Sequence, residues 1–476
     1  VRKRVIASTS LAIGLCLAVP ATTASATAAG THAGPGAPGI GDPYYPTYGN
    51  GGYDVSHYDL GLDYQPSTDR LSGTAVITAH ATQGLTRFDL DFGLDVSSVR
   101  VNGRPAAFTT SGEQELVITP ARTLHRGQRM TVSVTYSGVP STVEKYGFTS
   151  WQRTPDGGVA ANEPESAWWW FPSNDHPLDK ATYDVTVRVP KGEQAISNGL
   201  LLSSRSRHGS TVYHWRQDRP QATYLATLAI GHFDITHSRT RTGVPIINAY
   251  STALDPKIKA NAEASVERTG EIIDFLSGYF GPYPFDAAGG YVPNVKSGFA
   301  LESQTRVFYS PKFFDSAPDT SVVAHELAHQ WWGDDVSLKR WSDIWLNEGF
   351  AGYAEYLWAE HEGKSTPQES AQKVYDSHPA DDPFWTVKPG DPGPSKQFDD
   401  AVYDRGAVAI QALRDTIGDH AFLRLLKAWP AQHRYGNGTI TEFRHLAERI
   451  SHQNLDDFFR TWLYTPSKPA SFPSGH

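Results

Sequence analysis

Cysteine is all but missing: Cys16 is the only one in 476 residues, which excludes a disulfide framework and a thiolate metal cluster. Any metal must therefore be held by His nitrogens and carboxylate oxygens. Long apolar runs are scarce as well. The mostly apolar run at residues 5–19 is interrupted by Ser8, Thr9 and Ser10, short of the about 20 residues that a spanning helix needs. Basic runs are absent beyond the first four residues. Lys+Arg 42 against Asp+Glu 51 leaves a net charge of −9, so the electrostatic footprint of nucleic-acid binding is lacking. Apolar material, in contrast, is plentiful. With 39% hydrophobic residues, 12% aromatics and 13 Trp, a large core can be buried and long disorder is disfavoured. At about 150 residues per domain the length suggests two to three domains.

The chain opens with the basic start Val1-Arg2-Lys3-Arg4, continues through the run at 5–19 and reaches the small residues Ala24-Ser25-Ala26. That pattern predicts a secretory signal peptide over residues 1–26, hence an extracellular protein without a stable membrane anchor. Residues 27–43 are dominated by Ala, Thr, Gly and Pro and are expected to be a flexible leader. Between 44 and 238 the dominant signal has period two. Phe88, Leu90 and Phe92 alternate with Asp89 and Asp91, Met130-Val132-Val134-Tyr136 alternate with hydroxyl residues, and Tyr183-Val185-Val187-Val189 and residues 224–228 read alike. Val99 and Val101 precede an Asn102-Gly103 hairpin turn. An antiparallel β-sandwich or saddle is expected there. From 239 to 465 the apolar spacing becomes helical, as in Ile258, Ala262, Val266, Thr269, Ile273 and Leu276, and residues 466–476 form a short tail. The fold class is thus multidomain α+β, a β domain followed by a mostly helical one.

The chemistry concentrates in His325-Glu326-Leu327-Ala328-His329, on a helix that Asp319 or Thr320 can cap. Residues i and i+4 share a helix face, so both imidazoles reach one ion, while Glu326, turned by about 100°, lies beside it where a base belongs. After eighteen further residues comes Glu348 in Trp345-Leu346-Asn347-Glu348-Gly349, opening a second helix with Ser342 as its expected cap and Phe350, Tyr353 and Leu357 on its packing face. Two His and one Glu leave a fourth position open, the pattern of catalytic rather than structural zinc. One Zn2+ per chain is expected on His325, His329 and Glu348. Glu355, two turns beyond Glu348, is placed either to orient a His ring or to form an ordinary helix salt bridge.

The H-E-x-x-H-x18-E spacing and the Asn347-Glu348-Gly349-Phe350 context resemble the aminopeptidase N family of gluzincin zinc metallopeptidases. Glu163-Pro164, Ala167, Phe171-Pro172, Asp175 and Pro177 are similar to a segment of that family's first domain. The resemblance covers about residues 45–465 and implies a β domain packed on a thermolysin-like catalytic domain, in a short form without the further C-terminal helical domain. It also implies roles. Phe299-Ala300-Leu301-Glu302-Ser303 stands where the family has G-x-M-E-N, so Glu302 keeps the carboxylate that pairs with a substrate α-ammonium although its neighbours differ. Glu163 matches a second contact to that ammonium. Tyr403 in Val402-Tyr403-Asp404-Arg405-Gly406 matches the tyrosine that donates to the oxyanion, with Arg405 replacing the family's Lys.

The function these residues imply is zinc-dependent hydrolysis of the N-terminal peptide bond of peptides with a free N-terminus. Glu326 is the general base, Tyr403 the oxyanion donor, and Glu302 and Glu163 set the register. Two alternatives remain: a thermolysin-like endopeptidase, and a catalytically silent zinc-containing binding protein. Trp168-Trp169-Trp170 either floor the cleft or, as three adjacent tryptophans more often do, pack between elements.

Overall fold

The computed structural model describes residues 33–145 and 147–473. The expected signal peptide, Cys16 and the first part of the expected leader lie outside these residues. The remainder of that leader is not a loose segment. Gly34–Pro35 pairs with Leu85–Asp91, and the buried Asp42 accepts from the Tyr44, Tyr45 and Trp341 amides and meets the His176 ring. Composition hides this because a single buried carboxylate tied to four groups outweighs a Gly/Pro-rich context.

The alternating strands form an eight-stranded sheet. Its order is Leu200–Arg207, Ser210–Gln221, Ala181–Pro190, Tyr53–Gln65, Arg70–Ala81, Arg129–Gly138, Asp95–Val101 and Arg104–Pro105. All neighbours run antiparallel except Ala181–Pro190 beside Tyr53–Gln65. Met130, Val132, Val134 and Tyr136 are buried while their alternates face outward, as period two requires. Asn102 and Gly103 both take positive φ (50° and 75°), the geometry of the two-residue hairpin. Leu85–Asp91 departs from the expectation: Asp89 and Asp91 are buried too, with Asp91 occupied by the Gln114 amide and the Asp175 N–H. Residues 224–228 also differ. Thr223–Leu225 form a 3-10 turn and the strand begins only at Leu228; a fully buried apolar run has no periodicity to distinguish the two.

The helical part carries a sheet that the spacing did not show. Phe233–Arg239, Pro245–Ser251, Ala288–Val292, Val307–Tyr309 and Ala300–Leu301 form five strands in that order, the last at an edge. The first of them starts before residue 239. Helices Pro256–Val266 and Thr269–Phe280 carry the expected apolar face. The tail residues up to 473 are docked: the Tyr375 hydroxyl donates to Pro469 and Phe472 packs on Trp462. One hydrophobic core runs through both parts. Arg306, fully buried between them, donates to the carbonyls of Gly199 in the β part and of Ile247 and Ala288 in the second sheet, and has no carboxylate partner among the described residues.

Candidate metal centre and substrate cleft

Helix Thr320–Ala328 starts at Asp319, whose carboxylate accepts from the Ser321 and Val322 amides. That cap sets the phase of His325, one turn before His329. Helix Trp345–His361 is entered through a 3-10 turn, Trp341–Asp343, and has no side-chain cap, so Ser342 does not play the expected role. Continuity of the backbone turns substitutes for it. Phe350, Tyr353 and Leu357 are buried as expected, and they seat this helix so that Glu348 faces the two imidazoles.

Glu348 Oε2 lies 3.4 Å from His325 Nε2 and 3.4 Å from His329 Nε2. Tetrahedral ligands at 2.0–2.1 Å from zinc are separated by about 3.3 Å, so Glu348 stands from each ring nitrogen at the spacing that zinc demands, and the three donor atoms all lie within 4.8 Å of one another. The far ring nitrogens are also committed. His325 Nδ1 is 2.8 Å from Glu355 Oε1, and His329 Nδ1 is 3.0 Å from the Trp332 carbonyl. Both partners are acceptors, so each ring keeps a proton on Nδ1 and, on binding zinc, would offer the Nε2 lone pair to it. Glu355 therefore reaches His325, and its other oxygen takes the Ser321 hydroxyl. Burial would raise the Glu348 carboxyl, yet His329 and His325 outweigh it and hold it down at about 2, the ionised form that a ligand needs.

A third helix, Asp400–Ile417, brings Tyr403 to this centre. Its approach depends on two glycines. A Cβ on Gly406 would lie 3.1 Å from the Gly349 Cα, and one on Gly349 would lie 2.6 Å from Trp345 Nε1, which itself donates to the Gly406 carbonyl. The glycines of the Asn-Glu-Gly-Phe and Tyr-Asp-Arg-Gly segments thus face each other and let the helices touch. Tyr403 then stacks near His325, with ring centroids 6.0 Å apart. Burial first, then the charges of Glu348, Glu163, Glu302 and Glu326, push its hydroxyl well above the usual range. It stays a proton donor. Arg405 next to it serves packing, donating to the carbonyls of Trp385, Val387, Trp462 and Thr465.

These groups line a cavity of about 470 Å³ that also includes Glu163, Phe299, Glu302 and Phe398. Its lining holds seven carboxylates and no Lys or Arg among the described residues. Glu302 Oε1 accepts from the Tyr224 hydroxyl at 3.0 Å, and one donor atom each of Glu302, Glu326 and His329 lies within 4.8 Å of the others. Glu163 Oε1 is buried without a hydrogen-bond partner among the described residues. Burial, followed by the charges of Glu302, Glu348 and Glu326, drives the Glu163 carboxyl well above the ordinary carboxylate range, and burial raises Glu326 to about 8. A cavity so arranged calls for cations. Trp168, Trp169 and Trp170 stay out of this lining. All three are buried, with Trp168 Nε1 donating to Glu165.

Comparison with known proteins agrees with this geometry. Residues 55–225 match the peptidase M1 N-terminal domain and residues 265–462 match the peptidase family M1 domain. The chain belongs to the M1 peptidase family. An M1 zinc metallopeptidase from Deinococcus radiodurans is similar in structure, with 29% identity and a TM-score of 0.81, covering 92% of this chain and 100% of that one. A mutant of an M1 zinc metallopeptidase from the same organism, bound to a Tyr-Ser-Ala substrate, gives 0.82 at 29% identity, with 92% and 99% covered. Among curated M1 relatives, rat glutamyl aminopeptidase is 26% identical over 88% of this chain and 48% of its own length. Aminopeptidase N of Lactobacillus delbrueckii subsp. lactis is 26% identical, over 88% and 51%. The chain spans about half the length of the curated relatives it matches.

The motif spacing had named His325, Glu326, His329 and Glu348, and the other four expected residues, Glu355, Tyr403, Glu302 and Glu163, line the same cavity. Tyr224, Gln330 and the Trp332 carbonyl carried no signal of their own. Tyr224 and Gln330 act through contacts with Glu302 that sequence distance conceals, and a main-chain carbonyl leaves no trace in residue type.

Proposed function

We propose that this M1 family member is an exported zinc aminopeptidase that removes the first residue from peptides. The observation that carries the reading is the pair Glu163 and Glu302 in the cavity lining, two crowded carboxylates beside the base and ligands with no Lys or Arg among the described lining residues to supply a cation. A substrate α-ammonium supplies that cation, and its capture holds the first peptide bond, rather than an internal one, over the reacting groups.

Zinc, when held by His325, His329 and Glu348, supplies a Lewis acid and an acidified water. Glu326 takes the proton from the attacking water as its oxygen bonds to the carbonyl carbon. It then passes that proton to the amine nitrogen as the C–N bond breaks. The Tyr403 hydroxyl donates to the oxygen that becomes negative between these events, worth about 10²-fold or more in rate. Glu163 and Glu302 remain on the ammonium throughout. Support for export comes from the residue pattern over 1–26, and no helix among the described residues is long and apolar enough to cross a membrane.

The test compares short fluorogenic peptides with free and with acetylated N-termini, before chelation, after it and after zinc return. Metal-dependent cleavage limited to free N-termini is expected. Equal cleavage of blocked peptides would replace the reading with an endopeptidase, and bound zinc without cleavage would replace it with a binding protein.

A further inference from the structure

Glu302 is followed by a turn in a costly conformation. The Arg306 amide bonds to the Ser303 carbonyl, and Thr305 adopts a φ of 66°, a region that a β-branched residue occupies only when its surroundings hold it there. Two groups do so. The Gly199 N–H donates to Thr305 Oγ1 at 2.7 Å, and the Thr305 N–H donates to Gln330 Oε1 at 2.9 Å. Gln330 is fully buried, directly after the ligand His329. Its Nε2 donates at 3.0 Å to the Glu302 carbonyl, and the Tyr283 hydroxyl approaches its Oε1 at 3.3 Å.

One amide therefore clamps both ends of the segment that carries the anchoring carboxylate. Only one orientation of the amide satisfies this, since a donor must face the Glu302 carbonyl and an acceptor the Thr305 N–H. Gln330 itself sits just past the C-cap His329 of helix Thr320–Ala328, which bears His325. Glu302 extends from the edge strand Ala300–Leu301, which pairs on one side only, so strand pairing alone holds it weakly.

We propose that Gln330 is a positioning residue, fixing the distance between the ammonium-binding carboxylate Glu302 and the metal-ligand helix. The inference rests on the aminopeptidase reading and deepens it. Gln330 touches neither substrate nor metal; it acts through Glu302.

The test uses the zinc-loaded protein and two ligands, leucine hydroxamate and its des-amino analogue 4-methylpentanohydroxamic acid. The ratio of their dissociation constants by calorimetry isolates what the amine contributes. Zinc content is measured for every variant. In the unaltered protein the ratio is expected to be about 10 or more, as for a charge-assisted contact in a buried site. Gln330→Met, of equal length but without polar atoms, should cut it by about tenfold with zinc still bound. Glu302→Gln should do the same, and the double variant should lose little more, because both changes act on one contact. Gln330→Asn keeps polar atoms in the site and serves if the Met variant fails to fold; its ratio should fall by about threefold. A Gln330 variant that weakens both ligands equally and leaves the ratio intact overturns the proposal. Additive losses in the double variant overturn it as well. An unchanged ratio in Glu302→Gln removes Glu302 as the anchor, which defeats the proposed ammonium contact separately from Gln330 and takes the positioning role with it.

Discussion

Replacing Glu355 with Ala should weaken zinc binding while leaving the fold intact. Glu355 accepts from His325 Nδ1 at 2.8 Å and from the Ser321 hydroxyl at 2.6 Å, and its side chain is 35% exposed. Without it the His325 ring loses the acceptor that fixes its tautomer, and an Nδ1 proton is left to water. Partners of this kind typically contribute 10–100-fold in metal affinity, about 1.4–2.7 kcal/mol. Partial exposure lets solvent replace part of the contact, so the lower half of that range, about 10–30-fold, is expected here. His329 keeps its own main-chain acceptor, which Glu355 does not touch. Glu355→Gln retains an acceptor in the same place and should stay within about threefold of the unaltered protein. The assay is competition for zinc against a chromogenic chelator at neutral pH, with urea unfolding of the metal-free form alongside. Loss of a partly exposed ion pair should change that unfolding by less than about 1 kcal/mol. A zinc affinity within twofold of the original in Glu355→Ala would refute the orienting role and return Glu355 to an ordinary surface pair.

Tyr403→Phe should lower kcat by about 10²-fold with KM within about threefold, in steady-state kinetics on a free N-terminal peptide; a change confined to KM would contradict the oxyanion role. Arg306→Met strands the carbonyls of Gly199, Ile247 and Ala288 inside the core and should cost about 3 kcal/mol or more in urea unfolding; a cost under about 1 kcal/mol would mean water reaches those carbonyls. Burial, aided by the charge of Asp54, raises the Asp179 carboxyl from 3.8 to about 8 despite its bonds from Asn174 and Val55. A carboxyl whose folded value exceeds its unfolded one makes the native state the better proton binder, so its contribution is present at acid pH and is lost as pH rises from about 4 to about 8. Asp179→Asn should flatten the fall in urea midpoint between pH 5 and pH 8, and an unchanged slope would exclude Asp179 as its source.

Local rules account for much of what was legible in advance. The sheet residues Met130 to Tyr136 and Tyr183 to Val189 alternate because one face is buried and the other wet, and that burial is recorded residue by residue. His325 and His329 share a face through helix geometry alone. The Gly/Pro-rich segment before Tyr44, the fully buried 3-10 turn at Thr223–Leu225 and the Gly-rich strand Ala288–Val292 were not legible, because their conformations are imposed by partners far along the chain.

By itself the sequence determined the alternating strands of the large sheet, the lack of a disulfide framework and the shared face of His325 and His329, since residue type and local spacing settle these without distant neighbours. The tertiary structure alone decided the rest. Gly349 against Gly406 allows the helix approach that sets Tyr403 over His325, Glu355 rather than solvent receives the His325 proton, and Glu163 and Glu302 meet across about 140 residues of chain. Such contacts depend on packing distances of a few tenths of an ångström between elements remote in sequence, and no pattern within either element encodes them.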